Sequence, residues 1–167
     1  AVAGAYDEKE ITWQAAGRFE TSELVVHSAE GSFIGPLTRP VYLAVSSECK
    51  LEEEKTTSIG LQPVDVRRIL RIGVHIGAGF SGASLDGKLS GIASSWQVAT
   101  AKPGSKSGDL HLAWQAEATP GDYTATAGIF GPATATGSPD KLNVLALTVV
   151  TPAGETFSYE KDLTAQL

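Results

Sequence analysis

The sequence predicts an all-β protein of the sandwich kind. Three observations carry that reading. Apolar and polar residues alternate with period two in many short runs. Turn signals built from Gly, Pro, Asp and Ser recur about every 8–12 residues, the spacing of sandwich folds. No amphipathic helix of normal length interrupts the pattern. The chain has 167 residues, of which 42% are hydrophobic and 19% charged. A chain of that length buries roughly 70% of its unfolded surface and needs no covalent staples.

The elements follow in order. Ala1 to Glu8 is small and polar, and is expected to be a loose end. Glu10 to Gln14 predicts a short strand with Ile11 and Trp13 on one face. Thr21 to His27, a turn over Ser28 to Ser32, and Phe33-Ile34 predict a hairpin whose turn ends on Gly31. Gly35-Pro36 and Arg39-Pro40 bound a loop, and Val41 to Ser47 is the next strand. Leu51 to Lys55 has helix propensity but is too short to stand alone, so a charged turn or solvated edge is expected. Thr56 to Leu61 reads as a further strand, ended by Pro63.

Pro63 marks the expected domain boundary, with a smaller β-domain over 1–63 and a β-sandwich over 64–167. Val64 to Ala78 holds the longest alternation in the chain, with Val64, Val66, Leu70, Ile72, Val74 and Ile76 on one parity. Leu85 to Ile92 alternates weakly around Gly87 and Gly91. Trp96 to Thr100 is a short strand with Trp96 and Val98 inward, followed by an exposed loop over Ala101 to Gly108. Asp109 to Ala118 predicts one half-buried strand, with Leu110, Leu112 and Trp114 on its apolar face. Tyr123 to Phe130 is another strand. Lys141 to Val150, the turn Thr151 to Glu155, and Thr156 to Glu160 form the clearest hairpin.

Composition excludes several functions. Net charge is −6, and the only basic cluster, Arg67-Arg68-Arg71, lies inside a β-type run. Nucleic-acid binders present a basic face instead. No segment has the ~18–20 apolar residues that span a bilayer as a helix. The single cysteine, Cys49, rules out an intrachain disulfide and CxxC metal patterns. Methionine is absent, so a start lost through a trimmed boundary or a removed leader is expected.

No catalytic, cofactor or metal site is expected. His27, His75 and His111 stand singly in strands, without an HExxH or HxH pair. Glu52-Glu53-Glu54 lacks the spacing of a calcium loop and reads as a solvated edge. Gly77 to Gly82 superficially matches GxGxxG, but no helix follows it. Ser90 lies in Leu-Ser-Gly-Ile, not in a nucleophile elbow. Trp13, Trp96 and Trp114 could stack sugars, yet each falls on the apolar parity of its strand, which favours core packing.

Three stretches carry a family resemblance. The first is Ile69 to Ile76 followed by Ser84 to Ala93 (SLDGKLSGIA) and Trp96 to Thr100. The second is Thr124 to Gly131, ending in Phe130-Gly131. The third is the final hairpin with its tail Asp162-Leu163-Thr164-Ala165-Gln166. Together, over residues 64–167, they resemble the C-terminal half of Bacteroidales fimbrillin-type proteins, especially the anchor and accessory subunits of the minor fimbrium. The family's usual Asp-Val-Thr-Asp-Gln ending is altered here at Leu163 and Ala165.

The resemblance implies two transthyretin-like or immunoglobulin-like β-sandwich domains with Greek-key and hairpin connections. It further implies export, a place on the cell surface at the outer membrane, and assembly into fimbriae. Family subunits commonly carry a lipidated N-terminal cysteine, whereas residue 1 here is Ala. With no donor segment after Leu167, an anchor, tip or accessory subunit is expected rather than a shaft subunit. Partners would be other fimbrial subunits, joined by strand addition, with host or bacterial surface ligands beyond them. The Gly-rich stretch Gly73 to Gly91 and the N-terminus are the expected participants. The alternative is a carbohydrate-binding or adhesive module using exposed aromatics.

Overall fold

The computed structural model describes residues 2–14, 19–27, 33–46, 56–134 and 142–167. Before Pro63 the strands are β1 (Val2–Ala5), β2 (Ile11–Gln14), β3 (Glu23–Val26), β4 (Phe33–Ile34) and β5 (Tyr42–Val45). After it come β6 (Val64–Asp65), β7 (Arg68–His75), β8 (Ser84–Ala93), β9 (Ser95–Gln97) and β10 (Lys102–Pro103). The chain continues through β11 (Ser107–His111), β12 (Trp114–Ala116), β13 (Asp122–Ile129), β14 (Val144–Val150) and β15 (Thr156–Asp162). The protein is all-β, as its alternation predicts, and the only described helical segments are two three-residue turns at Phe19–Thr21 and Ala78–Phe80.

The strands form four sheets that pair into two sandwiches. In the first, the sheet β1-β5-β6 faces the sheet β10-β9-β3-β2. Ile11, Leu24, Leu37, Val41, Leu43, Trp96, Val98 and Phe130 fill the space between them. In the second, the five-stranded sheet β15-β14-β8-β11-β4 faces the three-stranded sheet β12-β13-β7. Leu89, Ile92, Leu110, Leu112, Ala125, Ile129, Leu145 and Leu147 make its core.

Strand pairing crosses Pro63 repeatedly. β6 completes a sheet with β5, and β9 pairs with β3. β4 reaches the other way and pairs in parallel with β11, Asp109 opposite Phe33 and Leu110 opposite Ile34. Phe130 and Ala133 also belong to the first core. A division at residue 63 therefore describes chain order and not strand pairing.

Several local expectations are corrected by these pairings. The N-terminus is not loose: β1 pairs over four residues with β5, Val2 opposite Val45 and Ala5 opposite Tyr42. β3 and β4 are not a hairpin. β3 lies between β2 and β9, and β4 belongs to the second sandwich. Alternation fixes which face of a strand is apolar but not which strand lies beside it. Residues 56–63 form no strand and are almost wholly exposed. The run from Val64 to Ala78 is broken between Asp65 and Arg68, because β6 and β7 serve different sandwiches.

The expected strand over Asp109 to Ala118 also divides. Its even face is correct: Leu110 and Leu112 are buried and Trp114 packs on the same core. Between His111 and Trp114 the chain leaves one sheet for the other, so β11 and β12 lie in facing layers. The loop over Ala101 to Gly108 contains the short strand β10, paired with β9. The closing hairpin stands as expected, with β14 and β15 paired from Val144–Asp162 to Val150–Thr156.

Two glycines are required by close approaches. Gly128 has the Leu37 backbone across it, and the Leu37 N–H donates to the Gly128 carbonyl at 2.9 Å. Gly91 has φ +74° and the Leu142 carbonyl where a Cβ would stand. Beside Gly91, the buried Asn143 donates through Nδ2 to the carbonyls of Ser90 and Gly91, both at 3.1 Å. The Asn143 N–H in turn donates to Thr164 Oγ1 at 3.0 Å. The tail after β15 is thus tied into the sandwich and does not trail from it.

Candidate functional site

The second sandwich has unequal layers. Five strands cannot be covered by three. The mismatch falls on one side, where the edge strand β15 overhangs the edge strand β7. A cleft of about 660 Å³ opens there. Leu145, Leu147 and Val149 of β14 form its floor, and Ile72 and Val74 of β7 form one wall. Phe157 and Tyr159 of β15 form the other wall and remain 47% and 57% exposed. Phe80, on the turn after β7, meets Phe157 edge to face at 5.4 Å and closes one end.

The β7 edge beside this cleft is open. Among the described residues β7 pairs only with β13. Just past its end, the Ile76 N–H donates to the Gly121 carbonyl at 2.9 Å. Antiparallel ladders alternate, so Val74, Ile72 and Leu70 also turn their polar backbone groups toward β13. The amides and carbonyls of Ile69, Arg71, Gly73 and His75 then point to the open side. A Cβ at Gly73 would meet nothing within 4 Å. The cleft therefore offers main-chain hydrogen-bonding groups along one border and apolar pockets beneath.

The residues weighed from sequence are scattered. His27 hydrogen-bonds Thr12 Oγ1 at 2.5 Å and the Lys9 carbonyl at 2.9 Å in the first sandwich. His75 pairs with Asp122 at 2.5 Å and His111 with Asp86 at 2.7 Å, in different sheets of the second. No group of three or more metal-ligating side chains occurs among the described residues. Cys49 and Glu52 to Glu54 lie outside the described residues. Ser90 Oγ donates to the Leu142 carbonyl at 3.1 Å and accepts from the Val144 N–H at 2.9 Å, a clamp between strands. Gly77 and Gly82, both at positive φ, flank a turn between β7 and β8 with no helix after it.

The tryptophans pack inward, as their parity predicts. Trp96 lies against Phe130 with ring centroids 5.9 Å apart, Trp13 packs on the same core, and Trp114 on the second. They do not build a shared stacking platform. Of the Gly-rich stretch Gly73 to Gly91, the β7 end and Phe80 on the following turn border the cleft.

A separate polar cluster lies on the outer face of the five-stranded sheet. Lys88 Nζ donates to Asp109 Oδ2 at 2.8 Å. That bond, more than the added attraction of Asp109 and Glu160, raises the Lys88 pKa above the usual lysine value. The sequence held a signal for the cleft wall in the alternation of Phe157 and Tyr159 with polar neighbours. It held none for the cleft itself, which needs β7 and β15 to be brought to the same side.

Such a molecule belongs to the class of β-sandwich proteins with an open strand edge over an apolar cleft. In fold it is similar to a crystal structure from Bacteroides ovatus described as a "putative adhesin", with a TM-score of 0.71 at 13% sequence identity. The match covers 98% of this chain and 64% of that one. At that identity the likeness is one of fold. No family model matches the chain, and no curated protein matches it. No described helix is long and apolar enough to cross a membrane.

Proposed function

We propose that this chain is a non-enzymatic, exported surface subunit of the fimbrial type, an anchor, tip or accessory component that contributes to cell adhesion. It joins its partner by β-strand addition. An extended segment of the partner lies beside β7, exchanges main-chain hydrogen bonds with the open edge, and sets alternate apolar side chains into the cleft. The observation that carries this reading is the unequal layering: a strand added to β7 extends the three-stranded sheet over the uncovered floor of β14 and β15. The fold shared with the Bacteroides ovatus structure supports the adhesive role.

Hydrogen exchange tests it. Purified chain is mixed with the surface subunits encoded beside it. Binding slows exchange at the amides of Ile69, Arg71, Gly73 and His75. Gly73→Pro removes one open-edge donor, is accommodated at an edge position, and abolishes binding. Equal binding by Gly73→Pro, or protection elsewhere than β7, rejects this mode of assembly.

A further inference from the structure

We propose that the outer face of the five-stranded sheet binds one neutral sugar unit of a glycan, over Ala146 and between Phe33, Asp86, Lys88, His111 and Thr148. The argument begins with the register. Ala146 lies directly beside Lys88, which lies beside His111 on the next strand. Thr148 lies beside Asp86 in the adjacent row. Successive residues of a strand point to opposite faces. Ala146 and Thr148 therefore face away from the core that Leu145 and Leu147 fill. A solvated sheet face is ordinarily covered by long polar side chains. Here the short Ala146 leaves a depression of about 190 Å³, with these side chains around it. That is below the ~300–1,000 Å³ of sites for drug-sized ligands and suits a single pyranose ring.

The walls are held in place yet keep capacity to bond. His111 Nε2 is fixed on Asp86 Oδ1 at 2.7 Å, and Lys88 on Asp109 at 2.8 Å. The ammonium retains two further protons and the Asp86 carboxylate a second oxygen. The Thr148 hydroxyl bonds to no other described residue. Neighbouring sugar hydroxyls both donate and accept, which matches a carboxylate, an ammonium and a hydroxyl set close together. At one end Phe33 stands edge to face with His111, centroids 6.2 Å apart and planes at 82°. Its ring supplies apolar surface for the C–H face of a sugar.

Charge selects the class of sugar. Asp86, Asp109 and Glu160 stand against Lys88 and His111, in a chain of net charge −6. Three acids against at most two cations disfavour uronic acids, phosphates and nucleic acid. The site and the cleft lie on opposite faces of β14, so adhesion and assembly do not compete for one surface.

Saturation-transfer NMR on the intact chain provides the test. The probes are the methyl glycosides of galactose, mannose, fucose and N-acetylglucosamine, with methyl glucuronide as the acidic control. Transfer is expected to at least one neutral glycoside, and is lost in Ala146→Gln, which fills the depression, and in His111→Ala. Both changes are on the solvent face, and unchanged melting confirms the fold. Transfer to none of the neutral glycosides, transfer that survives Ala146→Gln, or a preference for glucuronide overturns the proposal. Strand addition is read separately by exchange at Gly73, so either proposal can fail without the other.

Discussion

The two sandwiches differ in how well their layers match. In the first, three strands face four, and the core closes around Phe130, Leu24 and Ile11, none more than 1% exposed. In the second, three strands face five, and Phe157 and Tyr159 at the overhang stay about half exposed. The first core buries Trp96 and Phe130, with Tyr6 and Trp13 packed on them, while the second is aliphatic with Trp114 at its margin. They differ also in strand count. The larger mismatch in the second leaves an apolar cleft beside an open strand edge, whereas the first leaves Tyr42, Val45 and Val64 exposed on its three-stranded sheet.

The sharpest way to probe that contrast is to weaken each core and compare. Phe130→Ala removes a fully buried ring that touches Trp96 in the first sandwich. It should cost about 3–5 kcal/mol, read by urea unfolding. Leu89→Ala, fully buried in the second core, should cost about 2–5 kcal/mol. Because strands of both sandwiches cross Pro63, both variants should unfold in one transition. Two separated transitions would break the picture of interleaved sheets.

A smaller effect is expected at the buried polar tie. Asn143→Ala leaves the carbonyls of Ser90 and Gly91 without their donor and should cost about 1–3 kcal/mol. The Leu163 amide donates to the main-chain carbonyl of Asn143 at 2.8 Å, which alanine keeps, so its slow exchange should persist in the same variant. Lost protection would show that the side-chain bonds to Ser90 and Gly91 also hold the tail.

The overhang should behave in the opposite way to the cores. Replacing Phe157 and Tyr159 together by Ser removes two large apolar side chains that are half in water. Stability should change by only about 0.5 kcal/mol per site, as at ordinary surface positions, while partner binding falls sharply. A large loss of stability would mean that the overhang is structural after all, and that the two sandwiches do not differ in the way strand count implies.

The smallest effect belongs to Lys88, whose side chain is half exposed on the sheet face. Its pKa is raised by Asp109, so the pair's contribution is complete below the ordinary lysine value of 10.5 and fades as pH climbs through the raised one. Asp109→Asn should lower the Lys88 titration midpoint, followed by NMR of its side chain, and should leave acid-side stability unaffected by this pair's lysine. An unmoved midpoint would show that the Asp109 bond does not hold in solution.

Much of the fold could be read from residues alone, because alternation is a local property. Ile11, Trp13, Trp96, Val98, Leu110 and Leu112 fall on the face that the pattern assigns them. The closing hairpin was legible because its turn, Thr151 to Glu155, sits between two strong runs. Strand partners were not. β3 and β4 are adjacent in sequence yet serve different sandwiches, and β1, featureless as sequence, is ordered by its ladder with β5. A strand's neighbour is decided by which other edges are free, and that is a property of the whole sheet.

By itself the sequence determined the class of the fold, the inward parity of several strands, and the absence of a recognisable catalytic motif. These follow from side-chain chemistry at fixed spacing. Only the tertiary structure decided that residues from both sides of Pro63 share sheets, that five strands face three, and that β7 and β15 border one cleft. Those facts depend on pairing between residues far apart in the chain, where no local pattern reaches.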